Sequence, residues 1–138
     1  MPGRAQAVAN GEELKRAVME IGAGLNLKVE SEVKVGRRIW GARRFIDVVL
    51  TERQSKLKLG VECKYQGSLG TAEEKIPAVL QDIKAWPIRG IVVIDGAGFS
   101  ENMRGYLIST GISVEYPDLE DWLRLYFAID SGSLISSR

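Results

Sequence analysis

Leu14, Ala17, Val18, Ile21 and Leu25 recur at the three- and four-residue steps of an amphipathic helix, and Asn10 with Glu13 three residues later resembles a capping box at its start. Gly22 and Gly24 weaken the far end. From Leu25 to Val35 the period changes to two, because LNLKVESEVKV alternates apolar and polar positions as a half-buried strand does. GRRIWGARRFIDVVLT reads as a turn, a short strand and a longer strand from about Arg44 to Thr51. ERQSK is polar enough for a turn, and LKLGVECKY is the next strand. QGSLGT is a loop, after which Thr71, with Glu74 three residues on, can cap AEEKIPAVLQDIKAW. Pro77 lies beyond the first turn of that segment, so it kinks the helix or marks a true start nearer Lys75. GIVVID (90–95), a continuous apolar run bounded by glycines, predicts a strand buried on both faces. FSENMRGYLIST reads as a helix, ISVEY as a short strand and DLEDWLRLYFAI as a terminal helix. DGAGFS (95–100) has neither a G-x-G-x-x-G pattern nor a Walker lysine and is read as a strand-to-helix turn. The expected order is one helix, a three-strand meander, then α, β, α, β, α: an α/β fold with one mixed sheet and helices on its faces.

No repeat, low-complexity block or linker divides the chain, so one domain over residues 1–138 is expected, with 1–9 and 131–138 as loose ends. No apolar run approaches the ~18 residues of a membrane helix, and MPGRAQAVANGEE lacks the apolar segment of a secretory signal. The expectation is an intracellular, cytoplasmic protein with no membrane partner, and the single cysteine, Cys63, fits a reducing compartment. The sequence contains no histidine. That excludes His-metal nuclease motifs, Ser-His-Asp and Cys-His triads and Cys/His zinc sites, leaving carboxylates, Lys, Arg, Tyr, Ser and Thr for any chemistry. The net charge of +1 hides a division: residues 1–66 hold 13 Lys/Arg and 8 Asp/Glu, whereas residues 67–138 hold 6 and 10. The basic half points to an anionic partner or to an ordinary solvated surface.

Three charges sit at positions where strand patterning expects aliphatic residues. In LKLGVECKYQ, Leu57, Leu59, Val61, Cys63 and Tyr65 take one face, while Lys58, Gly60, Glu62, Lys64 and Gln66 take the other. Cys63 therefore reads as a small buried hydrophobe. A hairpin turn centred between Gln54 and Ser55 pairs residues whose numbers sum to 109, which sets Asp47 of FIDVVL opposite Glu62. Two carboxylates facing each other across strands repel, and burial sharpens the repulsion unless a cation lies between them. Mg²⁺ or Mn²⁺, hard ions with oxygen ligands, would resolve it, with Lys64 in reach of whatever binds. Two other outcomes stay open at this level: Lys64 in a structural ion pair with either acid, or a register shifted by one that parts the acids. Arg37, Arg38, Arg43 and Arg44 cluster just before Asp47 around Trp40, and suit DNA phosphates with a stacked base, or else form a solvated basic hairpin.

IDVVL followed by GVECKYQ resembles the bipartite motif of the PD-(D/E)xK nuclease superfamily, with Ile46 in place of the usual proline. Asp47, Glu62 and Lys64 match the motif, and Gln66 extends it to an E-x-K-x-Q form. The resemblance implies a restriction-endonuclease-like αβββαβ core followed by C-terminal helices. It implies Mg²⁺-dependent hydrolysis of DNA phosphodiester bonds, with Asp47, Glu62 and the Cys63 main-chain carbonyl as metal ligands. Lys64 would stabilise developing charge, and Gln66 would position phosphate or water, a plain surface role being the other reading. Members often add a first-helix glutamate to the metal; Glu13 and Glu20 flank the apolar stripe here, and capping competes for Glu13. The expected protein is a homodimeric endonuclease, since cutting both strands needs two sites; Trp122, Leu123, Tyr126 and Phe127 on the last helix read first as core packing, with any excess aromatic surface offering a dimer contact. Its rivals are a structure-selective Holliday-junction resolvase, a non-catalytic DNA-binding module of the same fold, and an unrelated α/β protein with a structural Asp–Glu–Lys cluster.

Overall fold

A computed structural model describes residues 7–37, 43–67 and 76–130. Helix α1 (Gly11–Gly24) begins where its capping residues put it: Asn10 Oδ1 accepts from the Glu13 N–H at 2.8 Å, and Glu13 Oε1 accepts from the Ala9 N–H at 2.8 Å. Its glycines do not end it early. Gly22 is buried, and a Cβ there would stand 2.6 Å from Leu50 Cδ2, so the bare backbone lets the helix lie close on the sheet. The chain turns at Asn26, with φ of 63°, so strand β1 (Lys28–Arg37) starts later than the alternation predicted. β2 (Arg43–Thr51) and β3 (Lys58–Tyr65) follow, joined by a turn in which the Glu52 N–H donates to the Leu57 carbonyl at 2.9 Å. The extra short strand expected within GRRIWGARRF falls partly on residues 38–42, outside the described residues, and its flanks belong to β1 and β2.

Helix α2 is described over Ile76–Ala85, and the expected starts at Thr71 and near Lys75 both fall on residues 68–75, outside the described residues. Then come β4 (Gly90–Asp95), α3 (Glu101–Thr110), β5 (Ser113–Glu115), a 3₁₀ turn at Tyr116–Asp118 and α4 (Leu119–Tyr126). The five strands form one mixed sheet in chain order. β2 runs antiparallel to its neighbours β1 and β3; β4 and β5 join in parallel, each reached through a helix. Leu14, Ala17 and Val18 of α1 and Leu119 and Leu123 of α4 cover one face of the sheet. Ile76, Leu80 and Ile83 of α2, Trp86 and Leu107 of α3 cover the other. GIVVID is buried almost throughout because both helical layers meet on it. Among the described residues no helix is long and apolar enough to cross a membrane.

The alternation in β1 and β2 breaks at one level. Val29 packs on the α1 face, yet Val33 and Val35 pack on the α2 face. In β2, Val48 and Leu50 point to α1 while Ile46 points to α2. A strand with period two cannot do this unless one residue reverses the phase. The pairs Ser31↔Val48 and Val33↔Ile46 bracket that residue in each strand, namely Glu32 and Asp47. Glu32 has φ of 53°, a left-handed conformation that supplies the reversal in β1. The β2–β3 ladder also stops here, Val48↔Val61 being its last pair.

Candidate metal and phosphate site at the end of the β2–β3 ladder

The ladder pairs of β2 and β3 sum to 109, from Val48↔Val61 to Thr51↔Lys58, so the expected register holds and the one-residue shift does not occur. One step beyond, where positions 47 and 62 meet, side chains replace the ladder. Asp47 Oδ2 accepts from the Cys63 N–H at 3.0 Å, so this acid satisfies a backbone donor of β3 that the interrupted ladder leaves open. The Glu62 carboxylate lies close enough to feel both the Asp47 charge and the Asp47 main chain, which puts the two carboxylates together between the parting strands.

Their proximity costs energy. Burial first, and the Asp47 charge second, push Glu62 up to about 7 from an ordinary 4.5. Asp47 is also raised, by burial foremost, even though the Cys63 N–H favours its ionised form. Lys64 Nζ stands 3.9 Å from Glu62 Oε2, and the Lys64 side chain is 40% exposed. That distance is too long for a locked structural pair, so the ammonium is tethered near the acids and still open to solvent. Two carboxylates with the Cys63 carbonyl between Glu62 and Lys64 make an all-oxygen donor set of the kind a hard divalent cation takes. Cys63 itself is buried on the α1 face and its thiol is pushed upward by burial, as expected of a packing residue.

Other expected participants are placed differently. Gln66 is not a surface residue. It is buried, its Nε2 donates to the Gly98 carbonyl at 2.9 Å, and its backbone is bonded to Asp95 and Gly98. Its side-chain nitrogen therefore binds the β4–α3 turn, where Gly96, at φ of 104°, leaves no room for a Cβ against the Gln66 carbonyl. Glu13 does not join the acids as the first-helix ligand: its carboxylate is engaged at the α1 N-terminus. Among the described residues no group of three or more His, Cys, Asp or Glu is arranged to hold a metal ion. Arg37 and Arg43 are backbone partners near the far end of β1 and β2, and Arg44 follows on β2. Arg38 and Trp40 lie outside the described residues.

The residue that α1 does send toward the site is Lys15, paired with Glu32, and both charges act on Asp47. Sequence reasoning passed over both. Lys15 follows a core leucine on an amphipathic helix, and Glu32 occupies a polar slot of an alternating strand. The available signal was Ser31, a polar residue standing where the alternation of Val29 and Val33 called for an apolar one.

Comparison with known proteins agrees with this architecture. Residues 5–121 match the family model described as the PD-(D/E)XK nuclease superfamily domain. A crystal structure described as a protein of unknown function, AF1548, is similar with a TM-score of 0.52 and 18% identity, which speaks for the fold alone. The match covers 74% of this chain, and the chain spans 56% of the length of that one. No curated protein matches. With the family model covering most of the sequence and the mixed sheet carrying Asp47 and Glu62 at the end of its central hairpin, the chain belongs to the PD-(D/E)XK nuclease superfamily.

Proposed function

We propose that the protein is a Mg²⁺- or Mn²⁺-dependent endonuclease that hydrolyses DNA phosphodiester bonds. The observation that carries this reading is the bond from the Cys63 N–H that fixes the Asp47 carboxylate where its charge presses on the buried Glu62 carboxyl. In this reading Asp47, Glu62 and the Cys63 carbonyl hold the ion. Bound there, a divalent cation makes water more acidic and offsets charge on the phosphate in the transition state. Asp47 also keeps the Cys63 amide fixed, so the carbonyl and Lys64 that follow are presented from a rigid strand. Lys64 acts as an ammonium: it orients the phosphate or the attacking water and stabilises the negative charge that develops on the phosphate oxygens. Gln66 supports the site by pinning the β4–α3 turn to the end of β3. The arginines at 37, 38, 43 and 44 hold the DNA backbone, with Trp40 beside them.

A homodimer belongs to the same reading, because cutting a duplex through both strands requires two sites. Ile108 and Leu125, 71% and 84% exposed, are apolar surface that a partner copy would cover. Sedimentation at micromolar concentration tests it, and a monomer at every concentration would remove that part alone.

The test of the activity is incubation of supercoiled plasmid, linear duplex, a four-way junction and a matched RNA duplex with Mg²⁺, Ca²⁺ or EDTA. Mg²⁺-dependent cleavage of DNA, abolished in Asp47→Asn, is the expected result. Preference for the four-way junction makes the protein a resolvase. Salt-dependent DNA binding without cleavage makes it a binding module. Undiminished cleavage by Asp47→Asn and by Lys64→Ala would remove these residues from the chemistry.

A further inference from the structure

Residues 33–46 carry five Lys/Arg and no Asp/Glu, and 33–37 and 43–46 are the parts of β1 and β2 that run on past Asp47. An aromatic side chain is set among these charges. Phe45 is 43% exposed and belongs to neither of the packed layers. Among the described residues only one other aromatic, Tyr106, is exposed, and that one lies on α3. Strand alternation explains the exposure. Ile46 and Val33 pack on the α2 face, so Phe45 and its register partner Lys34 stand on the reverse face. α1 covers that face only lower down, where Leu14, Ala17 and Val18 pack with Val48 and Leu50. The ring thus adds nothing to the core, yet it stands two residues, roughly 7 Å along the strand, from Asp47.

We infer that Phe45 is a stacking platform for an unpaired nucleobase, so that the protein takes DNA whose bases are splayed apart next to the phosphate held at Asp47 and Glu62. The inference rests on the DNA-binding part of the proposed function. A base inside a duplex is stacked on both of its faces, and only an unpaired one offers a face to a side chain. A cationic surface alone holds the backbone of any duplex; an aromatic ring set within it is what a single strand can use in addition. The geometry lets one strand engage both. The Asp47 carboxylate lies in the plane of the sheet, its Oδ2 accepting from the Cys63 N–H. The β2–β3 ladder has ended before Asp47, so a phosphate at the acids lies beside an open strand edge. Around that edge the adjoining base reaches Phe45, while the cations of the arm take the neighbouring phosphates. Phe45 therefore sets the class of substrate, and hydrolysis stays with Asp47, Glu62 and Lys64.

The test measures binding of the full chain in Ca²⁺ to a blunt duplex and to a splayed duplex of the same length with two unpaired tails, the first unpaired base being a fluorescent analogue. The wild type is expected to bind the splayed duplex about tenfold more tightly than the blunt one and to quench the analogue. Phe45→Ala should weaken the splayed complex about tenfold and leave the blunt one unchanged. Phe45→Trp should keep the preference and the quenching, whereas Phe45→Leu, apolar but without a π-face, should lose the quenching. Equal affinities for the wild type, or a preference that persists in Phe45→Ala and Phe45→Leu, would overturn the inference. So would a dimer that Phe45→Ala dissociates on sedimentation, since a second copy would then cover the ring. Absence of binding to either DNA would overturn it together with the DNA-binding reading. A wild type that shows the Phe45 effect but does not cleave the splayed duplex in Mg²⁺ would sink the nuclease reading alone and leave the stacking platform in place.

Discussion

Glu62 shows why a nuclease-like site is unstable by itself. Its carboxyl is raised to about 7 in the fold against an ordinary 4.5, so the fold favours the protonated form. The stabilisation this gives is full below about 4.5 and is lost as pH rises to about 7; a shift of that size is on the order of 3 kcal/mol. The metal-free protein should therefore melt lower at pH 8 than at pH 5.5, and Glu62→Gln should flatten that slope. Mg²⁺ needs the ionised pair, so its addition should raise the melting temperature at pH 8 and do little at pH 5.5. A slope of the opposite sign, unchanged in Glu62→Gln, would mean that the two acids are not pressed together. For Lys64 the expectation is kinetic. Lys64→Ala should lower the turnover number by roughly 100-fold or more, as loss of one transition-state donor does, with the Mn²⁺ affinity little changed.

At the scale of elements, two glycines set how closely α2 and its following turn can approach the sheet. Gly60 and Gly90, paired across β3 and β4, leave space for the Trp86 ring; a Cβ on Gly90 would stand 2.4 Å from it, and one on Gly60 2.8 Å. Gly90→Ala should cost about 1–3 kcal/mol by overpacking, read as a lower urea midpoint. The elements themselves were legible in the sequence because each follows its own period: the α1 stripe, the 109 register implied by the ERQSK turn, and the doubly buried GIVVID. What escaped was set by tertiary contact. A left-handed Glu32 has no sequence code, since glutamate rarely adopts that conformation. Gln66 was misread for a related reason: strand alternation gave it the face of Lys64, but β3 ends at Tyr65 and the β4–α3 turn closes over the next residue. The acids 47 and 62 were found by register, yet the bond from the Cys63 N–H to Asp47 that replaces the ladder there could not be read from spacing.

For the whole molecule, the question is how a chain of net charge +1 would hold a polyanion. The answer lies in how the charge is distributed. β1 and β2 run past Asp47 together, from Val33 to Arg37 and back from Arg43 to Ile46, after the β2–β3 ladder has ended. At about 3.3 Å per residue this hairpin projects roughly 15 Å beyond Asp47. Arg37 lies on β1 and Arg43 and Arg44 on β2, whereas the acidic half of the sequence supplies α2, α3 and α4. On the proposed reading, a basic arm next to Asp47 and Glu62 would hold DNA in two different ways: phosphates bound along the arm, and one phosphate drawn to a cation at its base. Binding measured in Ca²⁺, which supports association without cleavage, should then weaken steeply with salt. Replacing Arg37 and Arg43 together by Gln should lower the slope of log K against log salt by about 1 for each phosphate that is no longer neutralised, and the affinity should fall similarly for unrelated sequences. Asp47→Asn should leave that slope nearly intact while abolishing cleavage. A salt slope unchanged by the arginine substitutions would mean that the duplex lies elsewhere on the molecule, and the hairpin would then be a solvated arm with no part in holding DNA.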